Sequence, residues 1–188
     1  MSYYVMVGKG IPPISPIDTI YDEDLEDDMW MEGEPLDFTV EEPIMYDLDS
    51  VDKGQPKLLY DEEAIPVMHN SLYNLLISLG VDNIQVYDAV LRDIDNGIEY
   101  TDYKAFNVVG LVSAADMEKS IMMGTSNSAM IDADFDRLYI DEKKCLGRLI
   151  FRLAENVSAI VVHQRIKDQV EKIGLQGIFF YPNGEWSG

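Results

Sequence analysis

Hydrophobic positions fall into a regular rhythm from Ala64 onward, and they do not before it. Leu72, Leu75, Leu76 and Leu79 recur at helical spacing. Asn70 is placed to cap that helix and Gly80 to stop it. Ile84-Gln85-Val86-Tyr87 reads as a short strand, and Asp95-Asn96-Gly97 has the chemistry of a turn. Phe106 to Val112 is apolar enough for a strand covered on both faces. Leu138-Tyr139-Ile140 is a further strand. In Leu149 to Leu153, Leu149, Phe151 and Leu153 share one face, with Ile150 and Arg152 on the other. Ala159 to Tyr181 reads strand–helix–strand, its helix carrying Ile166, Val170 and Ile173 on one stripe before Gly174.

Before Ala64 the pattern is different. Tyr3 to Val7 is a short strand, after which Pro12, Pro13, Pro16, Pro35 and Pro43 interrupt the chain. Proline fixes φ and removes a backbone donor, so long regular elements are not expected there. The expectation is an α+β fold over 1–188: a single domain with one mixed, mostly antiparallel sheet and two or three helices. The third helix would lie near Ala115 to Met122. Residues 1–60 form an irregular acidic N-terminal region and 64–182 the core.

Charge sharpens this division. The chain carries 35 acidic and 14 basic residues, a net charge of −21. Residues 1–65 hold 18 of the acids against three bases. Such a charge repels nucleic acid and anionic membranes, and it attracts a basic partner at long range. No stretch reaches the roughly 18 apolar residues of a membrane helix. The single cysteine, Cys145, rules out an intrachain disulfide and suits a reducing compartment.

Candidate chemistry is thin. His69 and His163 lack ligand-like spacing, and capping or surface roles suit them better than a metal site. Asp132-Ala133-Asp134-Phe135-Asp136 begins like a calcium loop. Arg137 and Lys143 stand where its glycine and glutamate belong, so it reads as a solvated turn. Gly8-Lys9-Gly10 has neither phosphate-loop spacing. Ser158 and His163 are the nearest nucleophile–base pairing, without a nucleophile elbow. Paired carboxylates are too abundant by chance to be a signal.

The candidate binding surface is the run Asp22, Glu23, Asp24, Glu26, Asp27 and Asp28, followed at once by Met29, Trp30 and Met31. An acidic rim beside an exposed Trp30 would suit a protein partner. The competing reading packs Trp30 and the methionines into the core.

Ordered blocks over 64–182 carry a resemblance. They run from Pro66-Val67-Met68-His69-Asn70-Ser71-Leu72 to Phe106-Asn107-Val108-Val109 and Ala115-Asp116-Met117-Glu118-Lys119-Ser120. Leu138-Tyr139-Ile140-Asp141, Ile150-Phe151-Arg152-Leu153 and Gly174-Leu175-Gln176-Gly177-Ile178-Phe179-Phe180 follow. Together they resemble a bacterial immunity-protein family of polymorphic toxin systems, the one named after a myxobacterial member. The resemblance implies a cytoplasmic antidote, encoded near a secreted toxin, with no catalytic residues, cofactor or metal. Its partner would be a cognate protein toxin. The −21 charge suggests a basic one, a nuclease for example. The rivals are an interaction module of a secretion or regulatory complex and a carboxylate-dependent hydrolase. Arg152 is expected to be structural, pairing with an acid inside the sheet. Asp116, on one helical face with Ser120, is left open between the fold and the partner.

Overall fold

The computed structural model describes residues 2–10, 17–19, 27–48, 55–123 and 133–188, without side chains at 17–19 and 27–28. In chain order the strands begin with β1 (Tyr3–Gly8), β2 (Ile17–Thr19), β3 (Ile44–Leu48), β4 (Leu59–Tyr60) and β5 (Val67–His69). Helix α1 (Asn70–Ser78) follows, then the long pair β6 (Ile84–Asp93) and β7 (Ile98–Val108). Short strands come next: β8 (Leu111–Val112), β9 (Ile121–Met122) and β10 (Phe135–Arg137). The chain continues with β11 (Ile150–Leu153), β12 (Asn156–His163), α2 (Gln164–Ile173) and β13 (Ile178–Tyr181).

The fold is α+β, but its strands are divided among sheets where one was expected. A five-stranded sheet has the order β13-β1-β12-β11-β8, and a six-stranded sheet the order β2-β3-β6-β7-β5-β4. β9 and β10 make a small third sheet. Both large sheets are mixed and mostly antiparallel, with single parallel pairs at β8–β11 and β3–β6. The division falls inside the expected strand from Phe106 to Val112. Gly110 there has φ of +132°, a conformation open to glycine alone. β7 therefore ends in one sheet and β8 starts in the other.

Alternation on the strands builds three apolar clusters. Met6, Ile160 and Val162 of the five-stranded sheet meet Phe106 and Val108 of the other, with Leu72 and Leu76 of α1 and Ile166 and Val170 of α2 between them. The intervening Val5, Ala159 and Val161 face Phe135, Leu138 and Trp186 instead. On the outer face of the six-stranded sheet, Ala89, Leu91 and Ala105 pack against Trp30, Leu36 and Val40. The two sheets touch where β1 meets β4. A Cβ at Gly8 would stand 1.9 Å from the Leu59 carbonyl oxygen, so only glycine fits.

β12 and β13 both pair antiparallel with β1, which lies between them. The strand–helix–strand unit thus steps over a neighbour instead of pairing its own strands. The expected third helix does not form. Asp116 N–H donates to the Tyr139 carbonyl at 2.7 Å, and Tyr139 N–H donates to the Ser120 hydroxyl at 2.9 Å. These bonds spend the segment's polar groups on a neighbouring strand-like stretch. Leu138 to Ile140 itself contributes only a bridge from Ile140 to Ala115. Of the segment read as a solvated calcium-like turn, Asp132 lies outside the described residues and Asp134 and Asp136 are exposed as expected, but Phe135–Arg137 form strand β10.

Both helices are capped by the residue that ends the preceding strand. His69 Nδ1 accepts the Ser71 N–H, and His163 Nδ1 accepts the Arg165 N–H, each at 3.0 Å. Asn70, the expected cap, sits one residue inside, and its buried Oδ1 has no hydrogen-bond partner among the described residues. Gly174 closes α2 at φ +73° as expected.

The His163 cap makes stability depend on pH. Only a neutral imidazole can accept at Nδ1. Burial, reinforced by Arg165, holds its pKa below the usual 6.5. A depressed folded pKa means the contribution is complete above about pH 6.5 and is lost as pH falls below it. Removing the cap with His163→Ala should cost about 1 kcal/mol at pH 7.5. His163→Asn should keep the cap and weaken the stability loss between pH 7 and 5. Urea titrations at both pH values check this, and an unchanged pH slope in His163→Asn refutes it.

Candidate functional site

The acidic run is only partly described. Asp22, Glu23, Asp24 and Glu26 lie outside the described residues. Asp27 and Asp28 open a 3-10 turn that ends at Trp30. Trp30 itself is fully buried, which corrects the reading that exposed it to a partner. Its ring stands edge-on to Tyr87, with centroids 5.2 Å apart and planes at 68°. The cause is area: an indole that can be covered by Tyr46, Ile65 and Val67 across the sheet gains more there than at the surface. Among the described residues its N–H has no hydrogen-bond partner, so apolar packing holds it.

Residues 31–43 continue from that anchor as a strap over the six-stranded sheet. Gln85 and Asn107, paired in register on β6 and β7, grip its backbone. The Leu36 N–H donates to Gln85 Oε1 at 2.8 Å, and Gln85 Nε2 donates back to the Leu36 carbonyl at 3.2 Å. Asn107 Nδ2 donates to the Glu34 carbonyl at 2.7 Å. Two amides inside apolar strands thus supply hydrogen bonds to the strap's backbone. The strap holds Glu32, Glu34, Asp37, Glu41 and Glu42 exposed on a fixed track. The polar residues at 85 and 107 were the sequence signal for it.

Beside the strap, β6 and β7 extend into a hairpin whose tip is exposed. Its turn is fixed by Asp93, which accepts from the Asn96 N–H at 3.0 Å and from Asn96 Nδ2 at 2.7 Å. Arg92 lies in register between Asp47 of β3 and Glu99 of β7, and its guanidinium pairs with Asp47 at 2.8 Å.

Residues 16–185 match the family model of an immunity protein family, Imm11. The chain belongs to the Imm11 immunity protein family. No curated protein matches it. The Imm11 match starts well before Ala64, so the strap and β3 lie within the family's span together with the core.

The nucleophile candidates of this Imm11 chain are not assembled. The Ser158 hydroxyl donates to Asn156 Oδ1, while His163 caps α2. Cys145 is buried, and burial pushes its thiol up to about 12, far from a reactive thiolate. His69 Nε2 is 2.7 Å from Asp102 Oδ2, a contact that orients the capping ring.

Asp61 is the one buried acid among the described residues. Burial pushes its pKa up to about 6, although it accepts the Gly8 N–H at 2.7 Å. Its position at the junction of β1 and β4 makes it a tie between the sheets. Arg152 is fully buried on β11, where Nη1 donates to the Val157 carbonyl at 2.9 Å. Burial lowers its pKa to about 10, and the charge of Asp61 opposes that shift. No direct ion pair holds Arg152 among the described residues, so the expected pairing is a through-space attraction only. The Asp116 carboxylate pairs with Lys119 at 2.6 Å, and that hydrogen bond holds its pKa below the ordinary range.

Proposed function

We propose that this chain binds a cognate bacterial toxin and neutralises it by occlusion, without turnover, in the cytoplasm of the producing cell. The match of 16–185 to an immunity protein family carries the reading. The physical character of the chain supports it. An inhibitor that protects its own cell must meet its target quickly, and a net charge of −21 accelerates encounter with a basic protein. The exposed carboxylates of the strap stand on an ordered backbone, so little conformational entropy is lost when they meet a partner. A basic toxin follows from the charge, and a nuclease is the toxin class whose active site such a surface suits best.

The test is a binding titration against the protein encoded beside this gene, with association rates read at two salt concentrations. The expected result is a tight complex. Its association should slow by about tenfold or more from 50 mM to 500 mM salt, because attraction between exposed charges is screened. Tight binding with salt-independent association would remove the basic-toxin reading. The absence of any complex would remove toxin binding itself.

A further inference from the structure

The tip of the β6–β7 hairpin combines three features that the fold does not require. Ile94 and Ile98 are 60% and 45% exposed, although each carries a large apolar side chain. Asp95 and Glu99 are exposed between and beside them. Arg92, the only cation from 92 to 100, is already paired with Asp47. The surface is therefore apolar at its centre and negative around it.

The tip is also rigid. β6 and β7 are the longest strands of the molecule and stay in register from Ile84↔Val108 to Asp93↔Ile98, apart from one irregularity between Ala89 and Leu91. The hairpin's body is clamped from both faces, by Phe106 in one core and Ala89, Leu91 and Ala105 in another. Gly97 at φ +63° and the Asn96–Asp93 bonds fix the turn. An open hollow of about 370 Å³ is lined by Arg92, Asp93, Ile94, Gly97, Ile98 and Glu99. It is large enough to receive one or two side chains of another protein.

We propose that this tip is the contact at which the chain engages its toxin, and that the matching surface is basic with an apolar projection. This rests on the immunity reading above. Charge selects the occupant. A second copy of this chain would bring acid against acid, and an acidic or neutral peptide would leave Asp95 and Glu99 uncompensated. A cationic rim meets both, while an apolar side chain covers Ile94 and Ile98. Apolar centres ringed by charge are where binding energy concentrates. Leu146 is the rival exposed residue at 82%, but its turn carries Lys143, Lys144 and Arg148 against Asp141 and Glu142, so it has no negative excess to select a basic partner.

The experiment uses three variants of the full chain against the protein encoded beside its gene, with kinetics and thermal stability measured for each. Ile94→Ala/Ile98→Ala should raise Kd about tenfold or more, mostly through faster dissociation. Asp95→Lys/Glu99→Lys should slow association and flatten its salt dependence. Leu146→Ser should bind like the parent. All three should melt near the parent temperature, because none of these side chains is buried. If the parent binds and both hairpin variants bind equally well, the hairpin proposal is overturned and the immunity reading stands. If the parent itself does not bind, both fall together.

Discussion

Arg152→Ala should destabilise the protein by about 3–5 kcal/mol, while Arg152→Met should leave it within about 1 kcal/mol of the parent or raise its stability. The two outcomes separate the volume of this side chain from its charge. Arg152 is completely enclosed on β11. Alanine would leave a cavity there, and either substitution removes the donation to the Val157 carbonyl. Methionine fills nearly the same space with no charge. The charge is costly to bury: among the described residues Nε and Nη2 have no hydrogen-bond partner, and burial lowers the guanidinium's pKa to about 10. A pKa held below the usual 12.5 by burial means that the charged form destabilises the fold throughout the neutral range, by on the order of 3 kcal/mol. Removing Arg152 also removes an attraction to Asp61, which limits the gain from methionine. Urea denaturation of both variants decides the matter. Equal losses in the two would mean that the charge, not the filled volume, supports the fold.

Trp30→Ala should cost a comparable amount, about 3–5 kcal/mol, and Trp30→Phe clearly less. Among the described residues the indole N–H has no hydrogen-bond partner, so phenylalanine gives up only part of the packed area. The loss has a particular location. Trp30 anchors the beginning of the strap, whose backbone is otherwise held by Gln85 and Asn107. In Trp30→Ala, residues 31–43 should become cleavable by protease at concentrations that spare the parent. A variant of parental stability with weakened partner binding would restore Trp30 to the interface.

What could be read from the chain follows from how local each signal is. The stripe of Ile166 and Val170 with Gly174 behind it is a signal within a dozen residues, and α2 forms where it predicts, although Ile173 stays 52% exposed. α1 is equally local in its apolar face, but its cap moved from Asn70 to His69. Both can accept the same kind of N–H bond, and the extended backbone of β5 decided between them. The division into sheets was hidden because Gly110 inside an apolar run looks like a weak point of one strand. Only its φ reveals the change of sheet. Trp30 was undecidable in sequence, since the same Met-Trp-Met triplet serves a core or a surface. What settles it is Tyr87, 57 positions away. The hairpin tip was legible as a turn at Asp95-Asn96-Gly97. Its exposed isoleucines were not, because solvent exposure depends on how far the hairpin extends past its neighbours.

The most direct test of the account is growth. Cells would carry the protein encoded beside this gene under an inducible promoter, with and without this chain expressed alongside. Growth arrest on induction that is relieved by this chain is the expected result. Arrest that persists in the presence of well-folded parent chain would contradict an immunity function.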